Sequence, residues 1–196
     1  MDAPDRAPDR APDRAPDRAP DRAPGPATAV QIGESFVGEG AEAAHINTVL
    51  GHRSGPAGTA WATALATPRA GHVPFVAVLK PGVPAKPMTL FVNKAATDTA
   101  AHAELTWGAA QAGVAAGVMD AVAAQVVPAE AVDDLVLVAA VWVNPEAADA
   151  DLVYANNRAA TGAALRAGAA GLPGVEEALE ARHSPANPFY TPSGDE

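Results

Sequence analysis

Residues 42–51 read Glu42-Ala-Ala-His45-Ile-Asn47-Thr-Val-Leu-Gly51. Apolar and polar side chains alternate here, as in a strand with one buried face. Ile46, Thr48 and Leu50 fall on one side, and His45, Asn47 and Val49 on the other. An imidazole and a carboxamide therefore stand side by side on one face. That pair suits a general acid with a polar neighbour, although a lone histidine in a strand is more often a hydrogen-bonded structural one.

On the N-terminal side, Val30–Val37 reads as a second strand, and Gly38-Glu39-Gly40 is the turn of an antiparallel hairpin. Helix-forming residues at 59–66 follow, with Trp61 and Leu65 four apart. The run 73–79 is almost continuously apolar and predicts a buried strand. Residues 88–92 predict another strand, ending at Asn93 and Lys94, and Asp98 is placed to cap the next helix. Over 107–124 the period is helical, with Val114, Val118 and Val122 on a stripe that Ala115, Ala121 and Gln111 share. Pro128 opens a short turn, 135–143 is the most apolar strand, and Pro145 fits the start of a helix reaching about residue 167. A short acidic helix over 175–182 completes the order. This predicts an α+β fold, a mixed β-sheet with helices packed on one face in a two-layer sandwich.

Residues 3–22 are five copies of Ala-Pro-Asp-Arg. Proline at every fourth position forbids a regular helix, and nothing larger than alanine or proline is there to bury. The expected organisation is a disordered repeat arm over 1–26, one domain over 27–183, and a C-terminal tail over 184–196.

The formal charge of −10 argues against nucleic-acid or anionic-membrane partners. The chain has no cysteine, which excludes thiolate chemistry and disulfides. No run approaches the roughly 18–20 apolar residues of a membrane span, and the N-terminus lacks a signal peptide's apolar core. A soluble, cytoplasmic protein without a membrane partner is expected. His45, His52, His72, His102 and His183 show no ligand spacing, so no metal site is expected. The three lysines, Lys80, Lys86 and Lys94, fall within fifteen residues. They read either as edge protection of strands or as a positive pocket for an anionic ligand. Gln111 on an apolar stripe needs partners, from backbone or from ligand.

Several segments together resemble one family. They are Val37-Gly-Glu-Gly, Ala44-His45-Ile-Asn47, Gly55-Pro-Ala-Gly-Thr-Ala, Ala77-Val-Leu-Lys80-Pro, Lys86-Pro-Met-Thr-Leu90, Asn93-Lys94, Trp107-Gly-Ala-Ala-Gln111, Asp133-Asp-Leu and Pro145-Glu-Ala-Ala-Asp149. They are similar to the formaldehyde-activating enzymes, from about residue 30 to 166, with ungapped spacing between His45 and Gln111. The resemblance implies a homopentamer with the active site in a cleft between neighbouring subunits. It implies condensation of formaldehyde with tetrahydromethanopterin, or a related reduced pterin as co-substrate, without a metal. By position, His45 matches the family's general acid, and Asn47, Val76, Lys94, Ala96 and Gln111 match its pterin contacts, with Thr97 beside Ala96. The family carries Asp where Asn47 stands and Thr where Ala96 stands. A paralogue that binds a pterin or an anionic metabolite on the same oligomeric scaffold without turnover stays open at this point, as does a structural oligomer displaying the repeat arm.

Overall fold

The computed structural model describes residues 29–187 and 189–192. The Ala-Pro-Asp-Arg repeats lie outside the described residues. Strand β1 (Val30–Val37) and strand β2 (Ala44–His52) form the expected antiparallel hairpin. Helix α1 (Pro56–Ala66) follows. Next come the short strands β3 (Phe75–Val76), β4 (Val78–Lys80) and β5 (Val83–Pro84), and then β6 (Met88–Asn93). Helix α2 (Ala100–Glu104) runs through a π-helical turn, Leu105–Ala110, into α3 (Gln111–Ala123). Strand β7 (Leu135–Trp142), helix α4 (Ala150–Ala170) and helix α5 (Val175–Ala181) complete the chain.

The main sheet has the order β1-β2-β7-β6-β3. It is mixed, since β6 and β7 run parallel and every other pair is antiparallel. Alternation sorts the side chains as expected. Ile46, Leu50, Leu137, Ala139, Val141 and Phe91 are buried in one core with Val114, Val118, Val153 and Leu165. Helices α3 and α4 thus cover one face of the sheet. Among the described residues the other face is open across its middle, and α1 lies against the far end of β2 and β7.

Small residues let the two layers close. A Cβ on Gly33 would lie 1.8 Å from the carbonyl oxygen of Ala164, so α4 rests directly on the β1 backbone there. Gly113 and Gly117 do the same between the helices, with virtual Cβ atoms 2.5 Å from the carbonyl oxygens of Tyr154 and Arg158. The seam is then clamped outside by Arg158, whose Nε and Nη2 donate to the Asp120 carboxylate at 2.6 and 2.9 Å.

Four local expectations are corrected. The run 73–79 is not a buried strand: it breaks at Ala77 into β3 and β4, and Val73 and Leu79 are 49% and 45% exposed. It lies at the sheet edge, where half the backbone groups leave the ladder, so hydrophobicity alone misassigned its depth. Thr99, not Asp98, caps α2, its hydroxyl accepting from the His102 amide at 3.2 Å. The helical run expected from 107 begins at 100 and passes through the π turn. Helix α4 starts after Asp149 rather than at Pro145, because the Asp149 carboxylate accepts from the amides of Asp151 and Leu152.

Candidate functional site

The register places three polar residues on the open face. His45 stands opposite Phe36 in β1 and Trp142 in β7. One row along, Asn47 stands opposite Glu34 and Ala140, and Ala140 pairs with Val92 of β6. Lys94 continues β6, its amide donating to the Val141 carbonyl at 2.7 Å. From there its Nζ reaches back over β7 and donates to Asn47 Oδ1 at 2.6 Å. Ala140, the smallest side chain between them, leaves room for that crossing. His45 Nε2 lies 3.0 Å from Glu34 Oε1.

Electrostatics at this cluster pull in two directions. Burial and then the Lys94 charge push the His45 imidazole below the usual histidine range, and the Glu34 carboxylate pulls it back only partly. Burial likewise lowers the affinity of Lys94 for its proton, with Glu34 opposing. The cluster therefore holds an imidazole that titrates below its ordinary value, beside a half-buried ammonium.

Asn93, buried at the end of β6, fixes the loop that carries the next candidates. Its Nδ2 donates to the carbonyls of Gly71 at 2.6 Å and Ala95 at 2.8 Å. Thr97 donates its amide to Gly71 at 3.4 Å, so Ala96 and Thr97 are held, half-buried, against the 69–72 turn.

Val76 and Gln111 form a separate group. They line a pocket of about 370 Å³ with Val73, Phe75, Val78 and Trp107. The Gln111 side chain finds backbone partners: Oε1 accepts from the Val78 amide at 2.7 Å and Nε2 donates to the Val78 carbonyl at 3.1 Å. The carboxamide thus acts as a one-residue ladder for β4, with Gln111 only 6% exposed. Val76 is in β3 and His45 in β2, with β7 and β6 between, a separation of roughly 14 Å across the sheet. Within one chain, then, His45, Asn47 and Lys94 come together, and Val76 with Gln111 does not join them.

The lysines divide as well. Lys86 pairs with the Asp133 carboxylate, Lys80 is exposed on β4, and Lys94 alone faces the histidine. Among the described residues, no group of three or more His, Asp or Glu is placed to hold a metal.

The sequence reading missed Glu34, Phe36 and Trp142. The signal was present, because hairpin pairing through the Gly38-Glu39-Gly40 turn puts Glu34 on the same face as His45 and Asn47.

The model of the formaldehyde-activating enzyme family matches residues 32–190. This chain belongs to that family. It is 44% identical over 158 residues to a 5,6,7,8-tetrahydromethanopterin hydro-lyase of Methanosarcina barkeri, a match covering 81% of this chain and 89% of the relative. Bifunctional Fae/Hps enzymes of Methanosarcina mazei and Archaeoglobus fulgidus are each 39% identical, over 76% and 81% of this chain. The match spans only 38% and 40% of those longer proteins. The family match thus takes in Glu34 of β1, His45 of β2 and Lys94 just past the end of β6.

Proposed function

We propose that this formaldehyde-activating enzyme condenses formaldehyde with tetrahydromethanopterin, giving the methylene-pterin and water. The observation that carries the assignment of roles is the His45, Asn47 and Lys94 cluster on the open face, with Glu34 against the imidazole. A pterin nitrogen adds to formaldehyde to give a carbinolamine. Loss of its hydroxyl needs a proton, and an imidazole within reach of the bound reactants suits that donor. His45 is that proton donor. Lys94 and Asn47 bind the pterin beside it, Ala96 and Thr97 form the adjoining loop, and Val76 with Gln111 shapes an apolar wall. Alignment of two reactants supplies most of the remaining acceleration.

The active unit in this reading is a homopentamer, with each site in a cleft between neighbours. The separation of Val76 and Gln111 from His45 within one chain supports this, since a neighbouring copy can bring the second group to the first. Residues 27–183 form the catalytic domain, outside which lie the arm and the tail. Among the described residues, no helix is long and apolar enough to cross a membrane. The proposed location is the cytoplasm.

The test measures formaldehyde consumption with tetrahydromethanopterin, with tetrahydrofolate and with neither. A rate above the spontaneous condensation that is lost in His45→Ala supports the assignment. Pterin binding without such a rate refutes it and leaves a non-catalytic binding protein.

A further inference from the structure

We propose that Glu34 is a positioning residue for the reaction at His45: it holds the imidazole by its Nε2–H and so makes Nδ1 the nitrogen that gives and takes back the proton. This rests on the proton-donor role assigned to His45 above.

The geometry leaves the imidazole little choice. Glu34 sits in β1 opposite Asn47, diagonally across from His45 on the same face, within reach of a long side chain. Its Oε1 is 3.0 Å from Nε2. Phe36 flanks the ring with centroids 6.0 Å apart, and Trp142 stands opposite on the other side. Among the described residues, the charged groups facing the ring are Glu34 from β1 and Lys94 from the end of β6. Strand β7 contributes only Trp142, and Glu39 lies farther along, in the turn that shares a pocket wall with Phe36 and Trp142. Asn47 carries no charge, and its Oδ1 is occupied by Lys94. Glu34 is therefore the carboxylate that reaches the histidine.

A carboxylate on one ring nitrogen fixes which tautomer the neutral imidazole adopts and steadies the imidazolium. The proton cycle then closes without any further reactant. Imidazolium Nδ1–H protonates the departing hydroxyl of the carbinolamine. The C–O bond breaks, the nitrogen lone pair forms the C=N bond of an iminium, and water leaves. The neutral imidazole keeps its Nε2–H against Glu34. The second pterin nitrogen attacks the iminium carbon, and the proton it sheds returns to Nδ1.

Two variants separate orientation from charge. Glu34→Gln keeps an acceptor for Nε2–H and removes the charge, whereas Glu34→Ala removes both. Glu34 is 58% exposed at its side chain, so both variants should melt within a few degrees of the parent. Nitrogen-15 NMR of the histidines in the full chain, without substrate, reads tautomer and titration directly. The expected result is an Nε2–H tautomer in the parent and in Glu34→Gln, a mixture in Glu34→Ala, and a titration midpoint lowered in both. With formaldehyde and tetrahydromethanopterin, kcat at neutral pH should fall roughly 10–100-fold in Glu34→Ala while the pterin KM stays within about twofold. The pH–rate profile should move to lower pH in step with the NMR titration. An unaltered tautomer and titration in Glu34→Ala would overturn the proposal, as would an unaltered kcat. Absence of any parent activity would instead overturn the assigned reaction, and the NMR titration would still report whether Glu34 holds the ring.

Discussion

Gly33→Ala is the perturbation for which the structure contradicts the usual expectation. Glycine inside a strand is normally a weakness, and alanine there should gain about 0.5–1 kcal/mol. At Gly33 the added Cβ would lie 1.8 Å from the Ala164 carbonyl oxygen, where ordinary contact begins near 3.4 Å. The obstacle is the backbone of α4, so no side-chain rotation relieves it. Either the helix retreats by roughly 1.5 Å or β1 bends, and both loosen the layer that buries Ala160, Ala164 and Leu165. Overpacking of this kind costs about 1–3 kcal/mol, and the unyielding obstacle places it at the top of that range. After the local gain is set against it, the net loss is about 2 kcal/mol. For a chain of this length that is a fall of roughly 4–8 °C in Tm. The assay is a reversible melt by circular dichroism, with urea denaturation as a second measure. Gly108→Ala is the control, since its Cβ meets nothing within 4 Å, and it should leave Tm unchanged or slightly raised. A Gly33→Ala protein that melts at or above the parent would show that α4 does not rest on β1 as described.

Lys94→Ala should weaken pterin binding by about 1–3 kcal/mol, read by calorimetry, with little change in melting. Lys94→Arg should restore affinity only in part, because a planar fork does not replace a point charge. Asn47→Asp places a carboxylate beside the imidazole and should raise its pKa. With the protonated ring as the proposed donor, activity fades as pH rises through that value, so the alkaline limb of the pH–rate profile should move upward. An unchanged profile would mean that position 47 does not tune the histidine. Asp120 is held below its ordinary value of 3.8, first by its hydrogen bond from Arg158. The stabilisation is present above the ordinary value and is lost as pH falls through the lowered one. Acid melts of Arg158→Ala should accordingly depend less on pH in that window than those of the parent.

Alternation makes β2 legible from sequence, because a strand with one buried face must repeat every two residues. The same holds for the stripe of Val114, Val118 and Val122, which the structure buries at helical spacing. The 73–79 run is not legible in this way. Its apolar residues serve the walls of a pocket at a sheet edge, a use that has no period. The start of α4 depends on which acidic residue turns back to accept from free amides, and Pro145 offered a competing signal. At the site, His45, Asn47 and Lys94 could be named from the strand pattern and the resemblance. Glu34, eleven residues before the histidine, is legible only when the expected hairpin is carried through to its register, which sets it opposite Asn47. For Gln111 the structure shows backbone partners at both ends of the carboxamide, the amide and the carbonyl of Val78, a pairing that no helical stripe announces.

That attachment bears on how the pocket can change. Strands β4 and β5 form their own two-stranded unit apart from the main sheet. Helix α3 holds them by side chains, through Gln111 to Val78 and through Met119 Sδ to the Lys86 amide at 3.4 Å. On the β4 side the wall is hung from the helix, while Phe75 and Val76 on the β3 side belong to the main sheet. Substitutions at Gln111 or Met119 therefore change the β4 side of this cavity while the five-stranded ladder keeps its own pairing. Whatever the cavity admits can thus drift in small steps while the His45, Asn47 and Lys94 cluster, held in β2 and at the end of β6, stays in place.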